Sequence, residues 1–256
     1  MPEGGVRIEI REDVKVGVCR IDSPDTRNAL SPELLGAIAT GLERLDQTPG
    51  VNAIALVGTD EVFATGADAR ILASSQPDAA VEADFWNRFS AIGAPIVAGA
   101  SGWALGTGCE LVFACDLVVA SRTTRFGQPE VALGLIPGGG AIHRLMHSIG
   151  RQRTMELVLS GRRWSAEHAL RYGMVNEVAE KKKWFDGAVN LAADLAQRAP
   201  LALRLAKRAV TAAEREDYEQ RLETARTLLG EAWATEDRVE GVSAFLEGRA
   251  PKFEGR

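Results

Sequence analysis

The chain has 256 residues, 46% of them hydrophobic, and a formal net charge of −5. This length and apolar content can bury a full core, as one large domain or as one domain with an appendage. The negative charge argues against a general affinity for nucleic acid or anionic membranes, although a local basic patch could still bind a phosphorylated ligand. No apolar run reaches the roughly 18 residues that span a bilayer, and the first residues lack the order of a signal peptide. We therefore expect a cytoplasmic protein with a small-molecule partner.

The first elements are clear from their patterns. Val6–Ile10 and Val14–Ile21 alternate or run apolar around a charged turn, which predicts a β-hairpin. From Ser31 the pattern becomes helical, with a Ser cap, Pro32 at the first helical position and apolar residues three and four apart. We expect an amphipathic helix there.

Three units follow, each with an apolar strand, a turn containing glycine and a helix-like stretch. VNAIALVG leads to FATGADARILA, PIVAGAS leads to GWALGTGCELVFA, and DLVVASRTTRFGQPEVALGLIPGGG leads to AIHRLMHSIGRQRTMELVLSG. Alternating strands and helices predict α/β layering, with the turns collected at one end of the strands.

After about Arg162 the composition shifts to Ala, Leu, Arg and Glu at helical spacing, with only one possible short strand at Val175–Val178. This predicts a helical second part. The run Lys181–Lys183 indicates a solvated turn. The cysteines Cys19, Cys109 and Cys115 are odd in number and lie in apolar stretches, which indicates reduced core thiols.

Several motifs resemble other kinds of site without completing them. GTGCEL lacks the third glycine of a dinucleotide fingerprint and places Glu110 where a pyrophosphate would lie. GASGW lacks the last glycine of a nucleophile elbow. His143 and His147 could share a helix face, but two imidazoles without a third ligand do not predict a metal site. We expect no metal.

Two glutamates stand out, because each lies beside a glycine-bearing turn in apolar sequence. Glu110 occurs in WALGTGCELVFACD and Glu130 in RFGQPEVALGLIPGGG. A buried carboxylate is costly unless it is hydrogen-bonded, paired or functional, so the two suggest a pair that handles one water molecule. The turns in FATGAD and ALGTG could present the backbone amides of Ala67 and Thr107 to an oxygen that becomes negative during a reaction.

The same residues carry a family resemblance. FATGADA, GWALGTGCELVFACDLVVA, FGQPEVALGLIPGGG and EGVSAFLEGRAPKF resemble the enoyl-CoA hydratase/isomerase (crotonase) family, over nearly the whole chain from RNALSPEL onward. The resemblance implies an α/β fold, a spiral of ββα turns over residues 1–195 followed by a helical trimerisation region over residues 196–256. It also implies an acyl-CoA thioester substrate in fatty acid metabolism, no cofactor beyond the CoA of the substrate, and a homotrimer or a dimer of trimers.

For the reaction, the resemblance implies an enoyl-CoA hydratase that adds water across the 2,3 double bond. Glu110 and Glu130 would hold the water, the amides of Ala67 and Thr107 would form the oxyanion hole, and the Gly138 amide would help position the water. Two alternatives stay open: isomerisation of a 3-enoyl-CoA, in which a single glutamate can shuttle the proton, and a non-catalytic acyl-CoA binding protein.

The resemblance also implies residues that hold CoA. These are Ala29, Leu30, Thr65, Gly66, Asp68 and Ala69, with Arg27 against a phosphate, and Lys252 and Phe253 from the tail of a neighbouring subunit unless that tail is a frayed terminus. The segment from Ile71 to Ile92 is expected to line part of the acyl pocket. The chain departs from the family pattern at Thr107, where glycine is common, and at Ala141, Ile142 and His143. We expect these departures to affect substrate preference more than any other property.

Overall fold

The computed structural model describes residues 5–68, 79–215, 227, 229, 231 and 233–256. The described strands form two sheets. The larger consists of β1 (Val6–Arg11), β2 (Val16–Ile21), β3 (Ala53–Val57), β5 (Ile96–Ala100), β7 (Leu117–Ser121) and β10 (Glu177–Ala179), side by side in that order. The smaller consists of β4 (Val62–Ala64), β6 (Trp103–Leu105), β8 (Arg125–Gly127) and β9 (Arg163–Ser165), again in that order. All pairings are parallel except those of β1 with β2 and of β8 with β9.

The helices cover and link these sheets. They are α1 (Pro32–Asp46), α2 (Ala79–Ala91), α3 (Thr107–Ala114), α4 (Ala141–Ser160), α5 (Ala166–Arg171), α6 (Trp184–Ala196), α7 (Pro200–Arg215) and α8 (Glu236–Glu247). Short 3-10 helices occur at Glu12–Val14, Pro24–Thr26 and Glu130–Leu133. No helix in the described ranges is long and apolar enough to cross a membrane.

The first predicted elements are confirmed. β1 pairs with β2 as an antiparallel hairpin, with Val6 opposite Ile21. The helix α1 begins where its cap predicts, because the Ser31 side chain accepts a hydrogen bond from the Leu34 N–H at 3.2 Å. The predicted helix after the IPGGG turn is α4, and Gly150, at φ 75° and ψ 170°, interrupts it with a kink.

The three repeating units are present, and each contains one more strand than the sequence predicted. After β3, β5 and β7 in the large sheet, the chain turns and adds β4, β6 and β8 to the small sheet. Each of these second strands has only three residues, too few for an alternating pattern to be visible. The α/β fold is confirmed, and two sheets joined by repeated turns match the predicted spiral.

Two clusters of apolar side chains hold the layers together. The larger cluster fills the space between the two sheets and α1, and includes Ile38, Leu56, Phe63 and Phe126. The smaller lies on the other face of the six-stranded sheet, beneath α6, where Trp184 is buried. Strands β3 and β5 are buried along their whole length, as expected for parallel strands covered on both faces.

All three cysteines are buried and reduced, as predicted. Burial raises the pKa of the Cys19 thiol to about 12 and raises that of Cys115 further. These thiols are therefore protonated, and they pack as small apolar side chains.

The prediction that only helices follow Arg162, apart from one possible strand, is wrong at β9. Trp164 in β9 lies opposite Phe126 of β8, so this segment completes the small sheet. Its three residues have only one fully apolar side chain and gave no strand pattern. The possible strand is present as β10, which pairs with β7. The predicted solvated turn at Lys181–Lys183 is confirmed, since all three lysines are exposed. The domain boundary after residue 195 stays a prediction.

Candidate active site

Three neighbouring parallel strands end at one edge of the small sheet, and the segments that follow them form the candidate site. β4 leads to Gly66 and β6 leads to Gly106; a β-carbon added to Gly66, which has φ 97°, would lie 3.0 Å from the Leu105 oxygen. The Gly106 N–H donates to the Gly127 oxygen at the end of β8 at 2.9 Å. Because parallel strands end together, residues far apart in sequence meet here.

The two predicted amide donors, Ala67 and Thr107, lie on adjacent segments of this edge. Ala67 forms an isolated parallel bridge with Leu30, whose N–H donates to the Gly66 oxygen at 2.8 Å. In such a bridge Leu30 makes its hydrogen bonds with the residues on either side of Ala67, so the N–H of Ala67 itself points away from Leu30. Thr107 is the first residue of α3, where backbone N–H groups have no partner within the helix and the helix dipole favours negative charge.

Glu110 lies in the first turn of α3 and is 1% exposed. Its backbone N–H donates to the Gly106 oxygen at 2.9 Å. One carboxylate oxygen accepts a hydrogen bond from the Ala141 N–H at 3.2 Å. Since Ala141 is the first residue of α4, the N-terminus of a second helix faces this carboxylate.

Glu130 begins a 3-10 helix directly after β8 and is half-buried. Its Oε1 atom lies 3.1 Å from the position that a β-carbon on Gly106 would occupy, so the carboxylate is against the turn that begins α3. With its amide nitrogen facing the carboxylate, the buried Gln128 donates to both oxygens, at 2.9 and 3.2 Å. Burial raises the pKa of the Glu130 carboxyl, and a hydrogen bond from its own backbone partly offsets this rise.

Cys109 shows that the two carboxylates share one environment. Its pKa is raised well above the ordinary value, first by burial and further by the charges of Glu130 and Glu110, while a hydrogen bond with the Gly127 backbone acts in the opposite direction. Both glutamates are therefore within electrostatic range of one buried thiol, that of Cys109. Both carboxylates lie beside the turn that begins α3, Glu110 on the first turn of the helix and Glu130 against Gly106.

The residues predicted to hold CoA come together around the loop before α1. Asn28 is fully buried at φ 53°, and its side chain accepts from the Ser23 N–H and donates to the Ile21 and Phe63 oxygens, at 2.7, 3.1 and 3.0 Å. The Thr65 hydroxyl donates to the Arg27 oxygen at 3.2 Å. The loop that carries Ala29 and Leu30 is thus fixed beside the turn that contains Thr65, Gly66 and the buried Asp68.

Arg27 lines a cavity of about 570 Å³ on the outside of this loop. Lys181 contributes a second cation to the wall, and Asp60 and Glu61 contribute acids, with Trp103 as the aromatic member. The phosphate contact of Arg27 stays a prediction.

The remaining predicted residues lie elsewhere or outside the described residues. Gly138 is exposed in the turn before α4, and the N–H that contacts Glu110 belongs to Ala141, so a water-positioning role for Gly138 stays a prediction. Ala69 and residues 71–78 of the expected acyl-pocket segment lie outside the described residues, and α2 forms most of the rest of that segment.

The C-terminal tail lies against its own last helix. The Lys252 N–H donates to Glu240 at 2.8 Å, and Phe253 packs on Gly241. The predicted contact of this tail with a neighbouring subunit concerns a second chain, so it also stays a prediction. His143 and His147 share a face of α4, with ring centroids 4.5 Å apart. Within the ranges the structure describes, no three His, Cys, Asp or Glu side chains converge as metal ligands.

Sequence reasoning missed Gln128, Asn28 and the Ala141 amide. Ala141 follows three glycines at the start of a predicted helix, and that position was a usable signal for an exposed N–H. The side chains of Gln128 and Asn28 act on partners that only the fold brings near, and no local pattern marks them.

Comparison with known proteins shows the family of this chain. The model of the enoyl-CoA hydratase/isomerase family matches residues 11–256. A probable enoyl-CoA hydratase of Mycobacterium bovis is 37% identical over 97% of this chain and 98% of its own length. A 2,3-dehydroadipyl-CoA hydratase of Escherichia coli is 36% identical over 94% of this chain and 96% of its own. The crystal structure of an enoyl-CoA hydratase from Mycobacterium tuberculosis superposes with a TM-score of 0.91 at 32% identity, covering 99% of this chain and all of the other. The chain belongs to the enoyl-CoA hydratase/isomerase family.

Proposed function

We propose that this protein is an enoyl-CoA hydratase, which adds water across the 2,3 double bond of a 2-enoyl-CoA thioester to give the 3-hydroxyacyl-CoA. The observation that supports it most is the convergence of Glu110 and Glu130 on the turn that begins α3. Hydration requires that a separate water be held and activated, and two carboxylates can do both.

The different surroundings of the two carboxylates support a different role for each. The Ala141 N–H donates to the Glu110 carboxylate and holds it in position, which suits a base that takes a proton from water. Burial raises the pKa of the Glu130 carboxyl, which suits an acid that donates a proton in the reaction. Glu110 therefore accepts a proton from the water as the water oxygen bonds to C3. Glu130 delivers a proton to C2 as the double bond is lost.

The backbone amides of Ala67 and Thr107 act on the thioester. They donate to its carbonyl oxygen, which draws electron density from C3 and stabilises the enolate that forms when water adds. Amides fixed by a sheet edge and a helix N-terminus need no reorganisation as this charge develops. The chemistry uses no cofactor beyond the CoA of the substrate.

Outside the site, exposed apolar side chains in the C-terminal half suggest self-association. Val210, Leu229, Trp233, Val239 and Val242 are each at least half exposed. Apolar surface of this kind is usually covered by a partner, and we propose a homotrimer or a dimer of trimers. A monomer in light scattering at assay concentration would contradict this assembly.

Loss of enoyl thioester absorbance with short-chain, medium-chain and aryl-substituted 2-enoyl-CoAs tests the activity. Glu110→Gln and Glu130→Gln should each lower kcat by roughly 10²–10⁴, the usual scale of general acid–base catalysis. Glu156→Gln, which changes an exposed glutamate of α4, is the matched control and should leave kcat unchanged. No hydration of any of these thioesters by the native protein would refute the proposal.

Two further measurements separate the alternative functions. Conversion of a 3-enoyl-CoA without hydration, sensitive to only one of the two glutamates, would favour an isomerase. Calorimetric binding of acyl-CoA without turnover would favour a non-catalytic binding protein.

A further inference from the structure

Trp86, on α2, lies against the glycine turn that precedes α4. A β-carbon added to Gly139 would lie 2.3 Å from Cζ2, 2.6 Å from Cε2 and 2.7 Å from Nε1 of this indole. The inner edge of the ring is therefore in direct contact with the backbone of the turn, and only a residue without a side chain leaves room for it.

Arg144 holds the same turn from the helix side. Its Nη1 donates to the Gly139 oxygen at 2.7 Å, and its guanidinium lies 5.3 Å from the centre of the Trp86 ring. Its backbone N–H donates to the Gly140 oxygen at 3.1 Å. The turn is thus enclosed between an indole from one helix and a guanidinium from another.

The indole is not placed by its polar atom. Its Nε1 is buried and has no hydrogen-bond partner among the described residues. A buried Trp N–H normally finds a partner, so it is packing and not a hydrogen bond that holds the ring in this position. α2 is in turn tied to α1, because Arg88 makes two hydrogen bonds to the Glu43 carboxylate at 2.8 and 2.6 Å.

The turn ends at Ala141, whose N–H donates to Glu110. We infer that Trp86 is a positioning residue: by its contact with Gly139 it holds the Ala141 N–H on the Glu110 carboxylate. This inference rests on the proposed hydration, because it concerns how Glu110 is kept ready to accept a proton. It assigns a role in the reaction to an α2 side chain that is linked to Glu110 through the turn.

Trp86→Phe tests the inference most sharply. Phenylalanine keeps an aromatic ring beside Phe85 and Phe89 but lacks the atoms that touch Gly139, and it removes the unpartnered N–H. We expect little change in Tm and a fall in kcat of roughly tenfold to a hundredfold, the scale on which a misplaced catalytic group is felt. Displacement of the Ala141 N–H disfavours the charged form of the Glu110 carboxylate, so the low-pH limb of the kcat profile should move to higher pH, while KM changes little.

Phe89→Leu is the matched control, since Phe89 packs in the same aromatic cluster one turn further along α2. It should lower Tm and leave kcat and the pH profile unchanged. A Trp86→Phe variant with native kcat and pH profile, or a Phe89→Leu variant with the same kinetic loss, would overturn the inference.

Gly139→Ala supplies an independent test of the contact. The backbone of Gly139 is outside the left-handed region, so alanine is acceptable there and only the clash with Trp86 is added. Its effect on kcat should be several-fold smaller in the Trp86→Phe background than in the native one. Additive effects would count against the contact.

Hydrogen exchange separates failure of this inference from failure of the proposed function. The amides of residues 138–145 should exchange faster in Trp86→Phe than in the native protein, whether or not any thioester is hydrated. A native protein that hydrates nothing refutes the hydratase proposal, whereas an active native protein with unchanged exchange and kinetics in Trp86→Phe refutes the positioning role.

Discussion

Gly108→Ala tests whether the oxyanion amides depend on close contact between α3 and β4. A β-carbon on Gly108 would lie 2.4 Å from the Ala64 oxygen and 2.7 Å from the Ala64 β-carbon. Ordinary contact begins at 3.4 Å, so the first turn of α3 and the end of β4 must separate by about 1 Å. Ala67 follows β4 and Thr107 begins α3, so this separation pulls apart the two amides that would bind the thioester oxygen.

The expected loss is larger for the reaction than for stability. A displacement of about 1 Å in a positioned group costs on the order of 10² in rate. For stability, overpacking costs about 1–3 kcal/mol, while replacing a helical glycine by alanine returns about 1 kcal/mol. The net loss of about 0–2 kcal/mol lowers Tm by no more than about 8 °C in a protein of this size.

Gly36→Ala in α1 is the control, because a β-carbon there meets nothing within 4 Å. It should raise Tm slightly and leave kcat unchanged. Steady-state hydration of a 2-enoyl-CoA and thermal unfolding measure both quantities. Native kcat in Gly108→Ala, or an equal loss in Gly36→Ala, would refute the argument that this contact sets the distance between the amides.

Two further predictions concern the supporting residues. Asn28→Ala removes hydrogen bonds to buried backbone groups, so the free energy of unfolding should fall by about 2–5 kcal/mol and KM for the thioester should rise. Urea unfolding measures the first effect and steady-state kinetics the second. Native stability in this variant would contradict the role given to the Asn28 side chain. Because burial raises the pKa of the Glu130 carboxyl, its contribution to stability is complete below the ordinary glutamate pKa and is lost as pH rises through the raised value. Glu130→Gln should therefore raise Tm near neutral pH and change it little below about pH 4, and a lower Tm at neutral pH would show that the charged carboxylate stabilises the fold.

The elements that sequence predicted well are those whose signal is local. α1 has a cap, a proline and regular apolar spacing within one short stretch, and its first residue was predicted correctly. The hairpin of β1 and β2 was predicted for the same reason. The three-residue strands β4, β6 and β9 give no such signal, because their pairing energy comes from neighbours distant in the chain.

The candidate site divides in the same way. Glu110 and Glu130 stand out in sequence because a carboxylate in apolar surroundings is costly, and both lie at the predicted edge. The hydrogen-bond donors to these two carboxylates do not stand out in the sequence. Gln128 acts through a side chain in irregular structure, and the Ala141 amide reaches Glu110 only because α4 begins beside α3.

The turn that begins α3 shows why Thr107 is compatible with an oxyanion donor. Gly106 has φ 52° and ψ −130°, and a β-carbon there would lie 3.1 Å from Glu130 Oε1, so both backbone and space require glycine. Gly108 is required by its contact with β4. Thr107, between them, has ordinary helical geometry and a partly exposed side chain, and the proposed reaction would use only its N–H. A side chain at position 107 therefore leaves the donor in place and changes the space beside the thioester, so variation there should alter which acyl groups are accepted before it alters the chemistry.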